Sequence, residues 1–192
     1  MKLNYLNNMV NLKINKPIKK GTLIGLDLAS KSGYAVIKSS NKKVSLVSYG
    51  SINIDRHSNE LLRLHNTASL LVRTINPFIT SKNTLITIEN CYLGKWNPRT
   101  YGFLSRLSGY IIPSIINAYR GILTINNFKL LYPSTSKKLV GLKGNANKQD
   151  SVNYVNNIIN NKRLEFKLIH NNICDAIILA LAGGFDEEVK NV

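Results

Sequence analysis

Carboxylates are scarce in this chain of 192 residues: ten Asp and Glu stand against 26 Lys and Arg, for a net charge of +16. Such an excess is the footprint of a polyanionic partner. An anionic membrane surface is the first polyanion to test, and the sequence offers it little. No apolar run approaches the roughly 20 residues of a spanning helix, and no basic amphipathic helix gathers Trp and Phe on one face. Nucleic acid remains. Cysteine is almost as rare, and two residues, Cys91 and Cys174, build neither a disulfide framework nor a structural zinc site. With no recognisable signal peptide, the expected setting is an intracellular, reducing compartment. No internal repeat is visible, and the length suits one well-buried domain.

The stretch from Leu23 to Ile37 shows how the chain is built. A short apolar run ends on Asp27, a turn of small polar residues follows, and a second apolar run begins. Runs of this length bounded by turn signals read as buried strands joined in a hairpin. Strands are expected at about 22–29, 33–39, 43–53 and 84–89, and another between Ile122 and Tyr132, making a five-stranded mixed sheet. Helical spacing marks about 59–76, 100–119, 148–160 and a last helix from Asn171, ended by Gly183-Gly184. In the second helix Gly102, Ser105, Ser108 and Gly109 permit close approach, as core packing or as a dimer seam, and Pro113 is expected to kink it. The order describes a mixed α/β sheet flanked by helices. Residues 1–20, Asn- and Lys-rich without an acid, read as a flexible basic arm; 21–184 as the folded domain; 185–192 as an acidic tail.

Three acids break the pattern of polar surroundings. Asp27, Glu89 and Asp175 each adjoin apolar segments, where an ionised carboxylate is costly unless a cation compensates it. Phosphodiester hydrolysis needs such carboxylates to hold Mg²⁺, a hard cation that prefers oxygen ligands. Asn172 lies three residues before Asp175 on the same helix face, and His170 lies near the start of that helix. Lys137, Lys138, Lys143 and Lys148 fall in a stretch read as a basic loop, and Tyr92, Lys95, Trp96 and Arg99 in a loop after Glu89.

Four motifs, taken in order, resemble RuvC-type Holliday junction resolvases: Ile24-Gly25-Leu26-Asp27 with its Ser-Lys-Ser-Gly turn, Ile86-Thr87-Ile88-Glu89-Asn90, Lys137 to Lys148, and His170 to Ala176. The resemblance spans about 21–183 and implies an RNase H-like fold, a homodimer, and symmetric nicking of four-way DNA that depends on Mg²⁺ or Mn²⁺, with two ions in the site. It assigns Asp27, Glu89 and Asp175 to the metal. Asn172 stands where the family often has Asp, with His170 as a substitute ligand. Lys148 is placed at the scissile phosphate, Lys137 and Lys138 on the incoming strand, and Tyr92 on unpaired bases, extended by Lys95, Trp96 and Arg99; Lys143 adds basic surface. The competing readings are a nuclease of the same fold acting on flaps or RNA–DNA hybrids, and a junction-binding protein without activity. An actin-like nucleotide-binding domain shares the first strand–turn, but this chain lacks a second lobe.

Overall fold

A computed structural model describes residues 5–29, 31–41, 43–53, 59–91, 97–159, 161 and 164–185. Six strands form one sheet in the order β1-β4-β3-β2-β5-β6. β2 (Gly21–Asp27), β3 (Lys31–Ser40) and β4 (Lys43–Asn53) are an antiparallel meander. β5 (Thr84–Glu89) lies parallel to β2, and β6 (Phe128–Leu131) parallel to β5. Parallel neighbours require crossover connections. Those are α1 (Glu60–Ile75), leading to β5, and α2 (Pro98–Ala118), leading to β6. The short α3 (Pro133–Leu139), then α4 (Lys148–Ile158) and α5 (Asn171–Gly184), complete the chain.

Alternation along the strands divides the core in two. Ile24, Leu26, Val36, Ile86 and Ile88 face α1 and α2, meeting Leu64, Leu71, Leu107 and Ile111. Leu23, Ala35 and Ile37 face the other way, against Val152 and Val155 of α4 and Ile177 and Leu181 of α5. Among the described residues no helix is long and apolar enough to cross a membrane.

Several expectations are corrected. Six strands replace five, because the expected arm contributes β1 (Tyr5–Asn11), antiparallel to β4. Its Asn and Lys hid a strand held by backbone pairing, with Val10 buried in it and Leu12 buried just beyond it; polar residues suit an edge. The basic loop is partly helix, since α3 holds Lys137 and Lys138. Between Ile122 and Tyr132 only four residues pair. Asn127 stops the strand from starting sooner, closing a turn and donating to the carbonyls of Lys82 and Thr84 at 2.9 and 2.7 Å. Gly183 and Gly184 belong to α5 itself. The acidic tail beyond Phe185 lies outside the described residues.

α5 rests on the middle of the sheet because two glycines let it. A Cβ at Gly25 would collide with the Ala176 carbonyl, and one at Gly33 with that of Asn172. Even a methyl must therefore lift the helix off β2 and β3. Gly25→Ala is expected to destabilise the protein by about 1–3 kcal/mol, as overpacked cores do. At about 2–4 °C per kcal/mol for a chain this long, a thermal melt checks it. An unchanged midpoint would mean the helix has slack.

Candidate active site

Register brings the first two acids together. β2 and β5 pair in parallel from Thr22 beside Thr84 to Leu26 beside Ile88, so Asp27 and Glu89 come next, at the carboxyl ends of adjacent strands. Both belong to the odd-numbered set that faces α5, the side on which Gly25 meets Ala176 and Thr87 meets Gly183. Ligand sites of α/β sheets lie at such strand ends. Beyond Asp27 the chain turns tightly, with the Ser32 hydroxyl donating to the Ala29 carbonyl at 3.1 Å. Asp175, in the second turn of α5, completes a trio whose members act on one another electrostatically.

Asp27 is 6% exposed. Burial pushes its carboxyl well above the usual range, and repulsion from Glu89 and Asp175 pushes it further, with Lys148 pulling the other way. Glu89 is raised to about 7, chiefly by burial; a side-chain hydrogen bond with Asp27 and the charge of Lys137 oppose the rise. Burial raises Asp175 too, against the lowering effects of the Ser151 hydroxyl, Lys137 and Lys148. Close carboxyl groups that cannot all ionise are the electrostatic signature of a site waiting for positive charge.

Two lysines supply part of that charge. Lys148 is the first residue of α4, fixed by a reciprocal cap in which Asn147 and Asp150 bond each other's backbone at 2.8 and 3.0 Å. A cation at a helix N-terminus opposes the helix dipole, which makes sense here only because carboxylates lie within its reach. Lys137, expected to grip incoming DNA, is half-buried; its Nζ donates to the Ala146 carbonyl at 2.8 Å, and its charge lowers Glu89 and Asp175.

Ser151 escaped the sequence reading. Its hydroxyl is fully buried, approaches Asp175 closely enough to favour the carboxylate, and falls short of hydrogen-bond geometry with any partner. The available signal was its place one helical turn after Lys148.

Other expected residues are employed elsewhere. His170 closes the turn before α5, its Nδ1 accepting from the Lys167 amide at 3.1 Å and its ring standing edge-on to Phe166 at 5.9 Å. Both contacts hold the turn that leads into α5. The Asn172 amide donates to the Lys31 carbonyl and lies 2.7 Å from the Asn171 side chain, pinning α5 to the start of β3. Lys138 lays its stem over Gly144, and Lys143 and Arg99 are exposed. Tyr92, Lys95 and Trp96 lie outside the described residues. Burial and the adjoining acids raise the thiols of Cys91 and Cys174 to about 11 and about 12, leaving them protonated and poor ligands.

Among the described residues no three His, Cys, Asp or Glu side chains are drawn tightly enough to encircle an ion. The donor set nevertheless fits a hard divalent cation: three carboxylates held at high proton affinity by burial, an orphaned hydroxyl beside them, and no soft ligand available as thiolate.

The fold is that of RNase H-like nucleases, a class that depends on divalent metal. The chain belongs to the RuvC family: the family described as crossover junction endodeoxyribonuclease RuvC matches residues 23–183. It is thus a DNA endonuclease of crossover junctions. The fold is also that of solved structures. Thermus thermophilus RuvC superposes with a TM-score of 0.62 at 15% identity, over 84% of this chain and 92% of that one. The same protein in complex with Holliday junction substrate gives 0.62 at 14%, over 84% and 91%. The yeast mitochondrial Holliday junction resolvase Ydc2 gives 0.53 at 14%, over 88% and 80%. No curated protein matches the sequence significantly.

Proposed function

We propose that this chain, as a homodimer, resolves four-way DNA junctions by paired symmetric nicks, with Asp27, Glu89 and Asp175 holding two Mg²⁺ or Mn²⁺ ions. The observation that carries the reading is the buried, mutually repelling trio at the strand ends of a basic protein. Divalent ions there supply charge to the pentavalent phosphate and an activated water. The protein's own part is placement. β2 and β5 set two carboxylates side by side, and α5 brings the third across. Asn172 steadies that helix, and its carbonyl oxygen is a neutral donor three residues before Asp175. Lys148, whose charge reaches Asp27 and Asp175 from the start of α4, stabilises charge that grows on the scissile phosphate. Lys137 favours the ionised forms of Glu89 and Asp175 against the effect of burial, while Lys138 and Lys143 hold backbone phosphates. Tyr92, with Lys95, Trp96 and Arg99, meets unpaired bases at the crossover. Gly109 of α2, with nothing within 4 Å of its Cβ position, leaves the small-residue face open for the second subunit. Two free thiols suit a reducing compartment.

The test is cleavage of a mobile four-way junction, a flap, an RNA–DNA hybrid and a linear duplex, with Mg²⁺, Mn²⁺ or EDTA. Paired nicks on the junction alone, abolished by EDTA, are expected; preference for the flap or the hybrid would overturn the junction assignment. Junction binding without cutting in either metal would make the chain a binding protein. Lys148→Ala should slow single-turnover cleavage about 10²–10³-fold, as loss of a transition-state charge partner does, with junction affinity held within a few-fold. Equal losses in rate and affinity would reduce Lys148 to a phosphate contact.

A further inference from the structure

The segment between β1 and β2 precedes residue 23, where the family match begins, and it touches three helices in the same way. The Lys13 amide donates to the carbonyl of Ile158, the last residue of α4, at 2.7 Å. The Lys19 amide donates to the carbonyl of Gly184, the last residue of α5, at 2.8 Å. The Lys16 ammonium donates to the carbonyl of Leu139, the last residue of α3, at 2.9 Å. Bridges from Leu12 to Ile159 and from Ile18 to Phe185 continue the seam, and Lys16 lies 5.7 Å from the centre of the Phe185 ring.

Helix ends leave carbonyls without intrahelical partners. Here one short segment takes a terminal carbonyl from each of α3, α4 and α5. These three helices carry the site groups that do not come from strands: Lys137, Lys148 with Ser151, and Asp175. We infer that residues 12–20 are a strap that sets α3, α4 and α5 relative to one another, and that Lys16 is a positioning residue acting on the active site through Lys137.

The lever is short. α3 has seven residues, too few to hold itself together in water. Lys137 stands two residues before the carbonyl that Lys16 captures, and its own ammonium is tied to Ala146. The end of α3 is thereby held from both sides, which fixes where the Lys137 charge falls on Glu89 and Asp175. Without Lys16 the exposed terminal carbonyl is left to water, and the last turn keeps only its backbone bonds from Val140, Gly141 and Leu142. A cation at a helix C-terminus is also the favourable sign for the dipole.

This inference rests on the nuclease reading for its kinetic arm and on backbone protection for its structural arm. Lys16→Met is expected to raise hydrogen exchange at the Val140 and Gly141 amides, which bond back into α3 at 3.3 and 3.0 Å. Single-turnover cleavage at saturating junction should fall about 5–10-fold, within the range a small misplacement produces, with Kd within about twofold of wild type on the counterion-release view that one phosphate contact is a minor share of binding. Lys16→Arg should restore both readouts. In a Lys137→Met background, Lys16→Met should add no further loss of rate. Unchanged exchange at Val140 and Gly141 would overturn the strap. Equal rate losses in both backgrounds, or a loss of affinity matching the loss of rate, would overturn the route through Lys137. Should the wild type cut no junction at all, the nuclease reading falls, and the exchange readout still decides the strap.

Discussion

Asp27→Asn is expected to abolish nicking while leaving junction binding intact, and to make the protein more stable in EDTA. Asp27 is the most deeply buried member of the trio and is repelled by both other acids. As Asn it keeps its shape and one carbonyl oxygen but loses the charge that holds a cation. Charge stabilisation by a bound metal amounts to several kcal/mol, and each 1.36 kcal/mol is a factor of ten, so a loss of about a thousandfold or more follows. Burial and the neighbouring acids both disfavour the ionised carboxyl, so a neutral amide relieves strain that only a cation would otherwise relieve. A gain of about 1 kcal/mol is typical when a functional site is given up for stability, or about 2–4 °C. Gel assays of nicking and binding, with melting curves in EDTA, measure all three effects. Wild-type cutting by the mutant would remove the carboxylates from the chemistry; a lowered melting point in EDTA would contradict the repulsion.

The second large effect is on pH. Glu89 moves from 4.5 to about 7 on folding, and Asp27 and Asp175 move in the same direction. Between the unfolded and folded values the native state binds more protons than the unfolded chain, so unfolding free energy falls as pH rises. For these groups that stability is fully present below the unfolded value and lost as pH climbs through the folded one. In EDTA the melting point should therefore fall from about pH 5 to about pH 7.5, with a slope of up to about 1.4 kcal/mol per pH unit for each titrating group. Activity runs the other way, because protons must leave before a cation binds. Cleavage at limiting Mg²⁺ should rise about tenfold per pH unit on the acid side of 7 and level off above it. High Mg²⁺ should move the break to lower pH. A flat profile at limiting metal would show the carboxylates already ionised, and Glu89→Gln, which removes the group near 7, should flatten the stability curve.

The outline of the fold was legible because hydrophobic period does not depend on neighbours. Leu61, Leu64, Ala68, Leu71, Val72 and Ile75 announced α1; Leu64, Ala68, Leu71 and Ile75 are buried, while Leu61 in the first turn is exposed. β2, β3 and β5 were visible as apolar runs because both faces of the sheet are covered. Less was legible where apolar content is thin. β1 is held by its backbone partner β4, and an Asn-rich edge carries no signal of that pairing. α3 was masked by its lysines, which read as a solvated loop until the fold gave one of them carboxylates to face.

The same division runs through the site. Composition made Asp27, Glu89 and Asp175 conspicuous: in a chain so poor in acids, three set in apolar company need a reason to be there. Their residue types and the strand and helix they sit on were readable from spacing alone. Which way His170, Asn172, Lys137 and Ser151 point was not. His170 turned toward Phe166 and Lys137 toward the acids, and no local pattern distinguishes those outcomes. Residue identity and spacing say which groups could do the chemistry, because charge and period are properties of residues taken one at a time. Packing brings Asp27 and Glu89 into register, lays α5 close over Gly25 and Gly33, and sets a segment before β2 against the last carbonyls of three helices. Those facts depend on distances between residues far apart in the chain, which packing sets and composition does not record.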